Sequence, residues 1–488
     1  MFSGGVMYNS ITNLPDRMQG ASAAELQLIH DASIEILQRE GVCFNNQDAL
    51  DIFVKRGYSH NNGSVLISEK QVLEALATAP SSFTLHARNH DHHVKVGGRD
   101  HVLLPTVGAP NVADRSGEQR PATLDDFRIC CDLVQTSDQL GMGGYLMVQP
   151  HDVPLKSAHL DMMLTYLTRS DKPILGAFGS KETALDTFNM TGRIFGGMDY
   201  LLDHPVAAMI VNTLTPLQFA GEQTDVLMTA ARYRQPVVIS NMALAGSSAP
   251  VQLPGLLALI NAEILAGLVL SQVVGPGTPV IYGTTSAPMD MKSTVGVVGA
   301  WETVKIAATA IQMSQFYDIP CRTGGALTDA NAPDAQAAVE SSIMMSTVLR
   351  NGAHFILHGC GQISSFMALS FEKWLIDEEL CSLVRNILSP MRITKDTIDL
   401  ETICDVSAAG NFLSHPSTFK NFKQLSRSEL FNRNNVQRWR ESGAMDCTQA
   451  ASINLEKRLN GYTPPHIDDG LKQDLDTYVT QRKSEILG

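Results

Sequence analysis

Ile319–Gly361, IPCRTGGALTDANAPDAQAAVESSIMMSTVLRNGAHFILHGCG, is the stretch whose reading decides the fold. Ile319 to Thr323 is short, apolar and β-compatible, and Gly324-Gly325 ends it. From Asp334 to Leu349, the residues Ala335, Ala338, Val339, Ser342, Ile343 and Ser346 recur at helical spacing, and their small side chains predict a helix lying close on a sheet. Arg350-Asn351-Gly352 stops that helix, and His354 to Leu357 begins another strand. The stretch is one βαβ unit.

Outward from it the same alternation repeats. Strand-like runs are His101–Val107, Gly144–Val148, Pro173–Phe178, Val206–Thr213, Pro236–Met242, Pro279–Thr284, Ile319–Thr323 and His354–Gly359. Helix-like runs follow at 123–136, 155–169, 180–196, 217–234, 253–274, 294–317, 334–350 and 370–388. Short links between alternating strands and helices demand a parallel sheet with right-handed crossovers. Eight units in about 290 residues is the size of a (β/α)8 TIM barrel. A doubly wound sheet more often carries a phosphate-binding glycine fingerprint, and Thr106-Val107-Gly108-Ala109-Pro110 is not G-x-G-x-x-G. The expected organisation is an N-terminal helical segment with a small hairpin (1–100), the barrel (101–389) and a helical C-terminal extension (390–488).

In the N-terminal segment Ala24 to Gly41 reads as an amphipathic helix, and Ser68 to Ala79 as another, with Ser68 and Gln71 at capping-box spacing. Phe83–Arg88 and His93–Val96 read as the hairpin. The extension is polar and closes on a helix from Asp468 to Ile486, packed on the barrel or on a second subunit, so a homo-oligomer is expected. A formal charge of −13 among 488 residues argues against a general nucleic-acid or anionic-membrane binder. Leu253 to Val274 comes nearest to a membrane span, but Asn261, Glu263, Ser271 and Gln272 interrupt it. Eight scattered cysteines without a CxxC pair suit reduced thiols, and the start is neither basic nor followed by an apolar signal core; both point to the cytoplasm.

Barrel sites lie at the carboxyl ends of the strands. Those positions hold Tyr145, Gln149, Phe178, Asn212, Asn241, Tyr282, Arg322 and His358, the candidate substrate-binding residues. No Lys stands there for a Schiff base and no carboxylate pair for glycoside chemistry, though Asp290 or Asp329 are within a loop's reach. Arg322 is the most suggestive: a guanidinium in a buried strand needs an anion, from the protein or from a ligand. Tyr282 and Phe178 suit packing as well as a cation cage, and Asn212 and Asn241 suit loop satisfaction as well as ligand contact. No metal site is expected: Cys321, Cys360 and Cys404 lack partners at zinc spacing, and His90-Asp91-His92-His93 reads as an exposed turn. Asp91-x-His93 begins like a cobalt-ligating D-x-H-x-x-G loop, but its glycine falls one place late, at Gly97.

GGALTDANAPDAQAAVES resembles the G-G-x-x-(T/S)-D-(A/S)-x-x-x-D-x-Q-A segment of the trimethylamine methyltransferase family. PTVGAPNVAD, TLDDFRICCDLVQ, GNFLSHPSTFKNF, NRNNVQRW and NGYTPP are similar to the same family, so the resemblance runs from about residue 25 to the end. It implies a (β/α)8 methyltransferase that passes a methyl group from an amine to the cobalt of a separate corrinoid protein. The chain itself is then expected to bind no cofactor. Only the standard twenty residues occur, which implies the branch without pyrrolysine. Members of that branch demethylate quaternary amines; glycine betaine, giving dimethylglycine and methyl-Co(III), is the favoured substrate, with proline betaine, carnitine and γ-butyrobetaine as alternatives. Asn331 stands in the motif where a charged residue is also acceptable. Two other readings remain: a quaternary-amine binding protein without turnover, and a metal-dependent hydrolase or lyase, for which the strand ends supply no cluster of histidines and carboxylates.

Overall fold

The computed structural model describes residues 17–488 apart from 409, 426, 427 and 429. Eight strands pair in parallel around a barrel: β1 (Val102–Leu103), β2 (Gly143–Gly144), β3 (Ile174–Leu175), β4 (Ala207–Asn212), β5 (Val237–Asn241), β6 (Val280–Thr284), β7 (Cys321–Gly324) and β8 (Phe355–Leu357). Six lie inside runs that the sequence predicts, and β2 and β7 overlap theirs but begin or end one residue outside, at Gly143 and Gly324. Their hydrogen-bonded order is 1-8-7-6-5-4-3-2. The seam between β1 and β2 is carried by the Gly141 N–H on the Leu103 carbonyl and by a parallel bridge between Ala109 and Val148.

Eight helices cover the barrel: α1 (Leu124–Gln135), α2 (Ala158–Arg169), α3 (Lys181–Phe195), α4 (Gly221–Arg232), α5 (Leu253–Val274), α6 (Trp301–Phe316), α7 (Ala335–Asn351) and α8 (Phe371–Leu388). Their ends follow local chemistry. Thr123 and Ser180 open α1 and α3 with capping boxes, the Asp334 side chain accepts from the Ala337 N–H, and Gly352 ends α7 at φ 82°, where only glycine is unstrained. The face of α7 differs from expectation. Ala337, Ser341, Met344, Met345 and Val348 face the core, whereas Val339 and Ile343 are more than half exposed. Two methionines fill the space next to the sheet that the small residues were expected to leave.

The N-terminal segment is built onto the barrel. Helix Ala23–Arg39 lies along α5, strand Val42–Phe44 pairs in parallel with Gln218–Phe219, and a helix not foreseen, Gln47–Lys55, is capped by Asn46. The α5 helix is therefore enclosed by barrel strands on one side and N-terminal helices on the other, so seventeen consecutive residues, Leu256–Gln272, are buried. Among the described residues it is the one helix long and apolar enough to cross a membrane, and most of it is buried inside the protein. Its polar residues are all satisfied: Asn261 donates to Ser33 and Tyr317, and Glu263 accepts four hydrogen bonds.

The hairpin Ser82–Leu85/Val94–Gly97 closes the amino-terminal end of the barrel, where Leu85, Val94 and Val96 join Leu104, Met142, Ile210, Val238, Ile281 and Leu357 in one apolar cluster. In the extension, helix Cys447–Asn460 packs on α8 and α1, and the last helix, Asp469–Leu487, packs on α2 and α3. At that second contact Asp186 accepts from Tyr478 (2.6 Å), Arg482 (2.8 Å) and His159 (2.9 Å). At the carboxyl ends of the strands, loops pair into small sheets. Asn111–Ala113 joins Ala368–Leu369, Gln362–Ile363 and Gln119–Pro121, so the loops after β1 and β8 are stitched together over the mouth.

Candidate active site at the carboxyl ends of the strands

Alternation along each strand sends one set of side chains into the barrel and the next into the helix layer. Val238 and Ile281 belong to the interior cluster, so Ser240 and Gly283 face the lumen above them. Arg322 is paired with Gly283 across β6 and β7, and its side chain rises into this layer. Gly283 leaves the wall bare there; a Cβ would sit 3.1 Å from the Cβ of Ser240.

Arg322 is 4% exposed. Its Nη1 donates to Ser240 Oγ (3.1 Å) and Thr285 Oγ1 (3.2 Å), and its Nε has no partner among the described residues. No described carboxylate forms an ion pair with it. Burial, with no anion to offset it, pushes the guanidinium pKa down to about 9. The two origins that sequence left open for its counter-ion are thereby narrowed: the described protein supplies hydroxyls only.

His358 stands beside it. Its Nδ1 faces the Thr106 hydroxyl (3.3 Å) and accepts from the Val107 N–H (3.4 Å), which leaves the proton of the neutral ring on Nε2. Burial, and then the charge of Arg322, push its pKa well below the usual histidine value, so it is neutral at pH 7. The ring packs against Phe366 at 4.8 Å. His358, Ser364, Ser365 and Phe366 all have φ between 50° and 77°, a concentration of left-handed non-glycine residues in one loop of the mouth.

Tyr145 and Phe178, from the ends of β2 and β3, meet edge to face at 5.2 Å and 87°. Both are half-buried, and Phe178 also touches the interior apolar cluster. Asn212 is exposed at the end of β4, on the lumen side of the alternation set by Ile210. Gln223 holds these two strand ends together, accepting from the Asn212 N–H (2.9 Å) and donating to the Phe178 carbonyl (2.9 Å).

The other predicted residues go elsewhere. Asn241, next to the inward Ser240, turns outward and donates to Glu263 of α5 (2.5 Å) and to Thr213 (2.7 Å); its buried Oδ1 has no described partner. Tyr282 follows the inward Ile281, points into the helix layer and donates to Asn261 Oδ1 at 3.1 Å. It therefore supplies no face to the lumen. Gln149 secures its own loop through its N–H on the Ala109 carbonyl and Nε2 on the Pro150 carbonyl. Asp290 is exposed and holds a turn, and Asp329 accepts the N–H groups of Val298 (2.9 Å) and Gly299 (2.8 Å). The residues that strand-end reading missed are the hydroxyls of Ser240 and Thr285, Gln223 and Phe366. Three of them lie on loops or at a helix start; Ser240 lies one residue before the end of its strand. Among the described residues no three His, Cys, Asp or Glu side chains gather at metal-ligand spacing.

Three features thus surround the lumen above its apolar floor: a buried cation without an anion, a neutral imidazole N–H donor and an edge-to-face aromatic pair.

The family model described as trimethylamine methyltransferase (MTTB) matches residues 4–487. A glycine betaine methyltransferase of Desulfitobacterium hafniense is 34% identical over 95% of this chain and 96% of its own. A proline betaine:corrinoid methyltransferase of Eubacterium limosum is 30% identical over 94% and 97%. Among solved structures, the Methanosarcina barkeri monomethylamine methyltransferase MtmB superposes with a TM-score of 0.50 at 13% identity, covering 90% of this chain and 87% of its own, a likeness of fold.

Proposed function

The chain belongs to the trimethylamine methyltransferase (MTTB) family, and from that premise we propose that it demethylates a quaternary amine bearing a carboxylate, with glycine betaine favoured, for a separate corrinoid protein. The observation that carries the reading is Arg322, a buried guanidinium whose described partners are two hydroxyls. Trimethylamine has no group to answer that charge; a betaine does. The relatives named for glycine betaine and proline betaine act on such zwitterions. Proline betaine and carnitine share both groups and are the next candidates.

The corrinoid of the partner supplies a cobalt(I) that takes the methyl group while the amine nitrogen keeps the bonding pair. The products are dimethylglycine and methyl-Co(III), and the leaving amine needs no proton, so the site needs no general acid. This chain's residues hold the substrate. Arg322 takes the carboxylate with a charge-assisted bond, and the neutral His358 Nε2–H adds a donor without a second positive charge. Tyr145 and Phe178 offer aromatic faces to the ammonium, and the strapped loops hold one methyl toward the mouth. No pyrrolysine is required in this reading. The eight cysteines are free thiols, which supports a reducing, cytoplasmic setting.

The test is absorbance of a cobalt(I) corrinoid mixed with the protein and glycine betaine, proline betaine, carnitine, choline or trimethylamine in turn. Methylcobalt(III) is expected with a carboxylated quaternary amine. Equal turnover of choline or trimethylamine, which lack the carboxylate, overturns the reading, and silence with all five favours a binding protein.

A further inference from the structure

Parallel pairing sets four residues on one rung above the lumen floor. Asn212 of β4 faces Ser240 of β5, Ser240 faces Gly283 of β6, and Gly283 faces Arg322 of β7. Neighbouring strands lie about 4.8 Å apart. Arg322 crosses the bare Gly283 to reach Ser240 Oγ at 3.1 Å, so its charge stands about one strand spacing from Asn212. On the other side Gln223 ties the Asn212 N–H to the Phe178 carbonyl, at 2.9 Å each, which brings the Tyr145–Phe178 pair next along the wall. The order on the wall is guanidinium, amide, aromatic faces.

The Asn212 side chain is exposed and makes no hydrogen bond with a described residue. The sequence leaves both Asn212 and Asn241 two roles, loop satisfaction and ligand contact. Asn241 takes the first, on Glu263 and Thr213. The loop after Asn212 is satisfied without its amide: the Thr213 N–H donates to the Ser240 carbonyl, the Leu214 N–H to the Gln218 carbonyl and the Thr213 hydroxyl to Glu263. An amide that both donates and accepts answers a neutral group that does the same. With the carboxylate on Arg322 and the ammonium on the aromatic faces, the group opposite Asn212 belongs to the chain between the two charges.

We infer that Asn212 is a specificity-determining residue that binds a hydroxyl on the carbon chain between the carboxylate and the ammonium of the substrate. This rests on the proposed binding of a carboxylated quaternary amine and adds which chains the site tells apart. Glycine betaine has one carbon between its charges and no hydroxyl, so it leaves the amide to water. A three-carbon chain with a hydroxyl in its middle, as in carnitine, presents its groups in the order of the wall. Methyl transfer is unchanged, because the hydroxyl keeps its proton and the amine nitrogen keeps the bonding pair. A chain held at both ends and at a third point is also read for its hand.

Initial rates of cobalt(I) corrinoid methylation by the full chain test this with L-carnitine, D-carnitine, γ-butyrobetaine (which lacks only the hydroxyl) and glycine betaine. The preferred carnitine enantiomer is expected about tenfold above γ-butyrobetaine in kcat/KM, the effect of one net hydrogen bond, and above its mirror image. Both ratios are expected to fall to about one in Asn212→Ala and in the nearly isosteric Asn212→Leu. A wild-type ratio near one, ratios kept in both variants, or turnover of glycine betaine with neither carnitine nor γ-butyrobetaine accepted overturns the inference and leaves the carboxylated substrate in place. Methylcobalt(III) with none of the carboxylated amines defeats that substrate class itself, and this inference with it.

Discussion

The Ser365 hydroxyl donates to Asp329 Oδ1 at 2.6 Å, joining the loop after β8 to the loop after β7. Asp329 also holds the N–H groups of Val298 and Gly299, and its own N–H donates to Glu340, so three loops of the mouth converge on one carboxylate. Replacing Asp329 by Ala strands two N–H donors at about 1–3 kcal/mol each. The expected result is a substrate KM raised about tenfold, with Ser365→Ala nearer wild type. Steady-state methylation of a corrinoid by each variant checks it; an unchanged KM for Asp329→Ala refutes the brace.

Arg322→Met is expected to make the free protein more stable and the site useless. A buried charge without an anion opposes folding, and an apolar side chain of similar length relieves it by about 1–4 kcal/mol. The same change removes the carboxylate anchor, for at least a hundredfold loss of betaine affinity. Denaturant unfolding and calorimetric titration read the two effects separately, and a destabilised variant that still binds refutes both.

The pKa of Arg322, lowered by burial to about 9, gives the site an alkaline limit. A carboxylate binds the protonated guanidinium, so affinity is flat near neutrality and falls as pH rises past about 9; a bound carboxylate moves that limit upward. In the free protein the sign is opposite. The unfolded chain holds this proton more firmly, so stability gains as pH rises through the same range. Titrations of betaine binding between neutral and alkaline pH test the limit, and no loss of affinity at the alkaline end counts against Arg322 as anchor.

Tyr282 and Phe178 separate packing from recognition. Tyr282→Phe removes one buried hydrogen bond to Asn261, for a loss of about 1 kcal/mol in stability and no change in affinity. Phe178→Ala is expected to weaken quaternary-ammonium binding about tenfold. Paired melting and binding curves distinguish them; a binding defect in Tyr282→Phe sinks the outward assignment.

Acid loosens the amino-terminal end of the barrel. His86 meets His93 at 4.7 Å and His204 at 5.0 Å between ring centres, and burial followed by the charges of His93, His204 and His90 lowers its pKa to about 4. The unfolded chain takes up this proton at higher pH, so the contribution to stability is complete above about pH 6.5 and is lost as pH falls through 4. Hydrogen exchange at 86–93 and 200–206, corrected for its intrinsic rate, should rise over that interval and respond less in His86→Phe.

The barrel was legible because its signal is repetitive. Each of the eight strands overlaps a predicted run, since short β-rich segments and longer helical ones alternate without interruption. Facing was not legible. Ser240 and Asn241, or Ile281 and Tyr282, are neighbours in strands buried on both sides, where period-two polarity does not show which residue enters the lumen. Arg322, Tyr145 and Phe178 lie at the strand ends where the sequence places them, and of the three only Arg322 keeps the lumen phase of its strand. On α7 the misread face came from taking small residues as the packing surface, whereas Met344 and Met345 are the ones buried. Gln223, Thr285 and Phe366 act from loops and a helix start, where no periodic signal marks them.

The two-sided burial of α5 also has a meaning for synthesis. The helices that cover its outer side are made some two hundred residues earlier, and of its inner neighbours β5 precedes it, whereas β6 and the adjoining α6 leave the ribosome after it. For that interval the nascent chain exposes one flank of a long apolar helix that only later residues hide. Chains interrupted between α5 and α6 should therefore be the chief load that this protein places on chaperones and membrane-targeting quality control.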